Sequence, residues 1–507
     1  MRPIKSSLLA FAFAFPALAQ QPLSAIDWLN EPFAVPVASP RVIPGEVPVT
    51  VGITVPDIAV MPLEGTRRDA VGLLPSSVTG LPAGLWLASS ENQLMNLWRQ
   101  VSPEPLPAIQ ALYYTLLLAE AEPPAGDDGR FLKARVNVLT RYGAVEPAQA
   151  LLERSGTDSP VLFPTWFDIT LLTGNEGTSC ASLRQNPNLM DDYAARVFCH
   201  ARDGDWTTAA LLFDTARALD VIDPIEQYLL DQYLSPELID DAVPLAPPSE
   251  PSPLVFHLYE AAGAPLPTRN LPLAFATADL RNTSGWKAEI EAAERLVRTG
   301  AISENRLLGL YTDRKPAASG GVWSRVRAVQ NFDTALTSGD VANIATTLPP
   351  AWDVFRQQRL EIAFARLFSG RLSNIRLPPD SQALAFRIAL LDQDYETPAR
   401  AGGPDAQTRF LASIALGQPD TALARTVLEK RIASSFDTLP KPAFAHADLL
   451  KDGKLGEAIL SAANLLDQAG PGNLDGMAEG LATLRAVGLE DTARRAALQL
   501  LILERRK

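Results

Sequence analysis

The chain has 507 residues, 47% of them hydrophobic and 7% aromatic, with 45 basic against 58 acidic side chains and a formal charge of −13. That usage is globular and excludes a disordered chain. The acidic balance repels phosphate backbones and anionic membrane surfaces, so no nucleic-acid partner is expected. Small and branched aliphatic residues outnumber aromatics, which favours helices over strands.

Residues 1–19 read MRPIKSSLLAFAFAFPALA. Arg2 and Lys5 precede a short apolar run, Leu8 to Phe15, and Ala17-Leu18-Ala19 supplies a small-x-small cleavage pattern. The run is too short to span a bilayer of about 30 Å, so the reading is a removed export signal. No later stretch reaches transmembrane length, so no transmembrane segment is expected. The expected location is outside the cytoplasm, periplasmic if the source is bacterial.

Residues 20–82 form the next unit. Prolines at 32, 36, 40, 44 and 48, with more beyond, forbid a continuous helix. The segment VPVTVGITVPDIAV alternates branched apolar residues. We expect a proline-rich extended arm, part of it packed to cover those residues, with a free tether as the alternative.

From residue 83 the pattern is helical, and a first lobe is expected over 83–235. Leu87, Leu94, Leu97, Trp98 and Val101 fall near helical spacing, with Ser89 and Ser90 placed as caps. Cys180 and Cys199 are the only cysteines. In an exported chain they read first as a disulfide, worth about 3 kcal/mol on the chain-entropy argument, and otherwise as two buried thiols. The stretch DGDWTTAALLFDTARALD places a turn at Asp203-Gly204, an acidic residue at a helix start and Trp206 as a wedge. Ala209, Phe213 and Ala216 share one face, the alanines small so that a neighbouring helix can approach. With the preceding helix this makes a hairpin turning at Gly204.

A proline-rich linker is expected over 236–253, then a middle helical lobe, 254–400, and C-terminal helical repeats, 401–507. In the middle lobe, residues 314–336 read as a loop entering a helix at Val322 or Trp323. Trp286, Trp323 and Trp352 are candidate surface anchors for a partner, with packing in the core as the other reading for each. In the last lobe KDGKLGEAILSAANL repeats the opening pattern, with Gly453, Leu455, Ala458 and Ala462 in matching slots. Fainter copies surround Gly417 with Ala422, and Gly488 with Ala493. The glycines are spaced 36 and then 35 residues apart. The last helix carries a basic end and a Leu-Ile face that could dock a partner.

This G-D-aromatic-x-x-A-x-x-x-aromatic-x-x-A pattern resembles the second helix of the tetratricopeptide repeat, whose period is about 34 residues. The first-helix signature of that family is largely missing, and the period lapses between Gly204 and Gly417. The resemblance implies an all-α fold, a superhelical array of hairpins (an α-solenoid), carrying the extended arm. Such an array presents a curved surface to a protein or peptide. The α-domain of some periplasmic murein transglycosylases is similar too, but the signatures of their catalytic domain are absent.

Recognisable chemistry is sparse. His200, His257 and His446 are isolated, and no H-E-x-x-H or C-x-x-C offers zinc a scaffold. Ser284 and Lys287 match S-x-x-K without its companion elements, and Thr283 or Ser284 reads better as a helix cap. Asp127-Asp128, Asp191-Asp192 and Asp240-Asp241 read as solvated caps. No cofactor or metal is expected and no enzymatic activity is assigned. The expected function is an exported scaffold or adaptor binding a protein or peptide of the cell envelope. The alternatives are a structural part docked through its arm, or a peptidoglycan-acting enzyme with an acidic pair.

Overall fold

The computed structural model describes residues 67–126, 129–235, 246–436, 441–468 and 473–503. The export signal, residues 20–66 of the arm, and most of the expected linker lie outside them. Among the described residues every regular element is helical, apart from one isolated bridge between Leu74 and Ala119.

The described end of the arm, residues 67–82, lies on the helical body. It contains the four-residue helix α1 (Ser76–Thr79), and it is held from below by Arg135 of α4 (Arg130–Arg141). That guanidinium is fully buried and donates to the carbonyls of Asp69, Val71, Leu117 and Ala119 at 2.8–3.2 Å. Burial brings its pKa down to about 10, against the opposing effect of Asp69. The Asp69 carboxylate in turn accepts from the N–H groups of Gly129 and Leu132, satisfying donors that the first turn of α4 leaves open.

The helices that follow are α2 (Glu91–Gln100), α3 (Pro107–Leu118), α4, α5 (Val145–Ser155), α6 (Phe163–Thr173), α7 (Glu176–Gln185), α8 (Tyr193–Arg202), α9 (Trp206–Ala218), α10 (Pro224–Leu234) and α11 (Pro253–Ala261), and from α3 onward each packs on the next. Ser90 caps α2 and Asp205 caps α9, as their positions in the sequence predict. Cys180 and Cys199 form a disulfide joining α7 to α8, with Cα atoms 4.9 Å apart.

A 3-10 segment (Leu273–Leu280) leads into α12 (Trp286–Arg298), α13 (Glu304–Asp313), α14 (Gly321–Ser338), α15 (Val341–Gln357), α16 (Glu361–Leu372) and α17 (Pro379–Ala389). Apolar residues from Ala276 to Leu391 form a core of their own, which Leu503 also enters. The remaining helices are α18 (Glu396–Ala401), α19 (Ala406–Ala415), α20 (Val427–Ser434), α21 (Phe444–Lys451), α22 (Leu455–Gln468), α23 (Leu474–Ala486) and α24 (Glu490–Ile502). Apart from α21, their apolar faces join the core of α2–α11.

That sharing shapes the body. An open array is held by contacts between successive repeats, yet here α3 packs on both α22 and α24. The Tyr113 hydroxyl donates to Asn464 at 2.7 Å, and Asn464 donates to the Leu97 carbonyl. Pro107 opens α3 without a side-chain cap, and two open N–H groups there find acceptors on the last helices. Leu106 donates to Asp467 at 2.8 Å and Ala108 to Gln499 at 2.7 Å. The second core is tied in at the same place, because Gln110 donates to the Thr299 carbonyl and Thr299 to that of Tyr142.

Three local expectations change. Ala422 is not helical: Pro419 interrupts the chain after Gly417, and α20 begins only at Val427, with a capping box between Thr426 and Glu429. The Ser284 hydroxyl bonds Asp279 at 2.8 Å instead of capping α12, whose start at Gly285 has no side-chain cap. The Leu-Ile face of α24 is largely taken up by packing: Leu498 is fully buried, and Leu500, Leu501 and Ile502 are half-buried against the cores.

Candidate functional site

Two of the three candidate tryptophans meet at the surface. Trp286 opens α12 and Trp323 lies in the first turn of α14, and their ring centroids are 5.0 Å apart with planes tilted by 41°. The Trp286 indole N–H donates to the Leu310 carbonyl at 2.8 Å, which fixes the ring. Both rings are half-buried and line an open hollow of about 450 Å³ together with Lys287 and Glu291, themselves 3.9 Å apart. The chain reaches Trp323 through residues 314–320, a short connection tied down by Arg327 on the Ala318 carbonyl and by Gln330 on that of Arg314. Trp352 is no surface anchor. It is 9% exposed and packs edge-on against Phe364 at 5.5 Å, on the core face of α15 with Leu348 and Phe355.

The residues of the repeat-like pattern build hairpins. Gly204 and Gly453 take φ of 84° and 75°, the left-handed turn for which glycine is suited, and each precedes the second helix of a hairpin. Ala209, Phe213 and Ala216 are the buried face of α9, and Ala458 and Ala462 are fully buried in α22, with Leu455 at its edge. Trp206 departs from its expected role: it is 50% exposed, with its ring 6.4 Å from that of Tyr233. The helix α9 packs on α8 and α10 and turns its outer face, including Leu211, to solvent, and Trp206 lies half open to water at its start.

The titratable residues singled out by type sit in structural settings. His446 is buried and pairs with the Thr483 hydroxyl at 2.9 Å, and burial lowers its pKa. His257 lies edge-on to Phe198 and near Glu260, its pKa lowered chiefly by burial. His200 meets Asp205 at 3.1 Å. Lys287 is engaged with Glu291 and Ser284 with Asp279, not with each other. Among the described residues no three His, Cys, Asp or Glu side chains are grouped to hold a metal ion, and no helix is long and apolar enough to cross a membrane.

Two further features were not singled out from the sequence. The carboxyls of Asp168 on α6 and Glu226 on α10 are both pushed up to about 7, by burial first and then by the charge of Asp192, with Asp223 adding to the effect on Glu226. Asp192 itself caps α8, accepting from Ala195 N–H at 2.9 Å. Helices α2 and α4 also enclose a hollow of about 550 Å³ with a floor containing Trp98 and Val138 and a rim carrying Arg99, Lys133, Asn137 and Arg141. Lys133, Asn137 and Arg141 recur every four residues on α4, a polar stripe legible in the sequence once α4 is recognised as a helix.

Comparisons of the chain with protein families, with curated proteins and with solved structures return no match. The resemblance to tetratricopeptide repeats therefore rests on the residues quoted for it.

Proposed function

We propose that the chain is an exported, all-helical adaptor that binds a protein or peptide of the cell envelope, and that the partner seats on the Trp286–Trp323 hollow. The observation that supports this reading is the pair itself. Two large rings, one pinned by its indole N–H, hold an apolar surface half open to water instead of burying it. Tryptophan held rigid in this way is the side chain most often found to carry interface energy. Lys287 and Glu291 beside it supply both signs of charge for a polar rim. The disulfide is compatible with an oxidising compartment.

The test is a photo-reactive side chain introduced at position 287 in intact cells. A reproducible adduct that disappears in the Trp286→Ala/Trp323→Ala double variant, with helix content retained, is expected. Absence of any adduct, or an adduct that survives the double variant, contradicts the reading.

One observation favours a second reading, an acidic hydrolase of peptidoglycan. Asp168 and Glu226 both titrate near neutrality, where a general acid is effective. It requires turnover of peptidoglycan by the purified chain and loss of that turnover in Asp168→Asn.

A further inference from the structure

We propose that the hollow between α2 and α4 binds a small amphipathic anion, a carboxylate or phosphate group carried on an apolar body. The proposal is independent of the tryptophan pair, which lies on α12 and α14.

Three observations combine. The wall has two chemistries, an apolar floor that includes Met95, Trp98 and Val138 and a rim with Arg99, Lys133 and Arg141. Among the described residues Arg99 and Arg141 meet no carboxylate closely, and Lys133 acts only on the Asp168 carboxyl, which burial pushes up to about 7 and so leaves largely neutral, whereas elsewhere guanidinium groups meet carboxylates closely, as Arg325 does Glu294 and Arg202 does Glu176. In a chain of net charge −13, cations gathered around one hollow and facing no ionised carboxylate at close range make it a local well for a negative ion. Finally, the rim is held in place: Arg141 donates to the Trp98 carbonyl at 3.0 Å and Arg99 to the Asn96 side chain, so an arriving ion meets donors already positioned.

The volume of about 550 Å³ suits a small molecule. The acidic remainder of the chain disfavours a polyanion, which would have to lie along it. The apolar floor distinguishes the ligand from a bare inorganic ion, since a ligand without an apolar body leaves that surface wet.

The experiment compares two dyes of the same skeleton on the purified, disulfide-intact chain: anilinonaphthalene sulfonate and the uncharged phenylnaphthylamine. The anionic dye is expected to bind about tenfold more tightly than the neutral one, the size of effect that charge-assisted hydrogen bonds give. Lys133→Gln, at a partly exposed position with no hydrogen bond to lose, is expected to cut that preference by about threefold, and Lys133→Gln/Arg141→Gln to abolish it. Trp286→Ala should leave it unchanged. Displacement by benzoate or by phenyl phosphate then identifies the anionic group. Equal binding of the two dyes, a preference that survives Lys133→Gln and the double variant, or displacement by neither competitor overturns the proposal.

Discussion

Asp168 shows how a side chain unremarkable in sequence acquires character from its surroundings. Unfolded, its carboxyl ionises near pH 4. Folded, burial and the neighbouring charge of Asp192 outweigh the pull of Lys133 and delay ionisation to about 7. The folded state thus favours the neutral carboxyl. Its contribution to stability is fully present below the unfolded pKa and is lost as the pH rises through about 7. Glu226 follows the same sign. Asp168→Asn, which imitates the neutral form, is expected to stabilise the chain at pH 8 by on the order of 2 kcal/mol and to leave it nearly unchanged at pH 4. Denaturant unfolding at the two pH values measures this, and an equal effect at both contradicts it. No motif marks Asp168, because its property depends on burial within the fold and on Asp192, the cap of α8, lying near α6.

At the scale of elements, what was legible was local. Ser90 and Asp205 are caps by residue type and position, Gly204 turns the chain, and Ala209, Phe213 and Ala216 share the buried face. The exposure of Trp206 is not legible, because a ring at a helix start reads alike whether it wedges the turn or faces water. Trp352 reads either as a surface anchor or as core, because one sequence does not show which face of α15 the second core covers; the structure places it in that core. Close approach between distant elements was equally hidden. Gly456 sits near the start of α22, and its N–H donates to the Leu85 carbonyl at 3.1 Å. A methyl group there would lie 2.5 Å from the Trp86 ring and 2.7 Å from that carbonyl. Gly456→Ala is therefore expected to destabilise the fold by about 1–3 kcal/mol, despite alanine's better helix propensity. Denaturant unfolding with a stability gain would show that α22 does not bear on the Leu85–Trp86 turn.

Over the whole molecule, the α class was legible in periodicity and composition, and the way the two cores are divided was not. The repeat-like pattern describes single hairpins. It carries no information on helices hundreds of residues apart sharing a core. That information lies in polar residues that look like surface: Asn464, Asp467 and Gln499 satisfy groups on α2, α3 and the turn between them. The tryptophan pair belongs to the second core, and the basic hollow to the first, into which the C-terminal helices close. Hydrogen exchange tests that closure most directly, on the intact chain and on Gln499→Leu, which removes the acceptor of the Ala108 N–H at a cost of about 1–3 kcal/mol. Faster exchange at Ala108 and through α3, hundreds of residues from the substitution, is the expected result. Acceleration confined to α23 and α24 would contradict the joining of the first helices to the last.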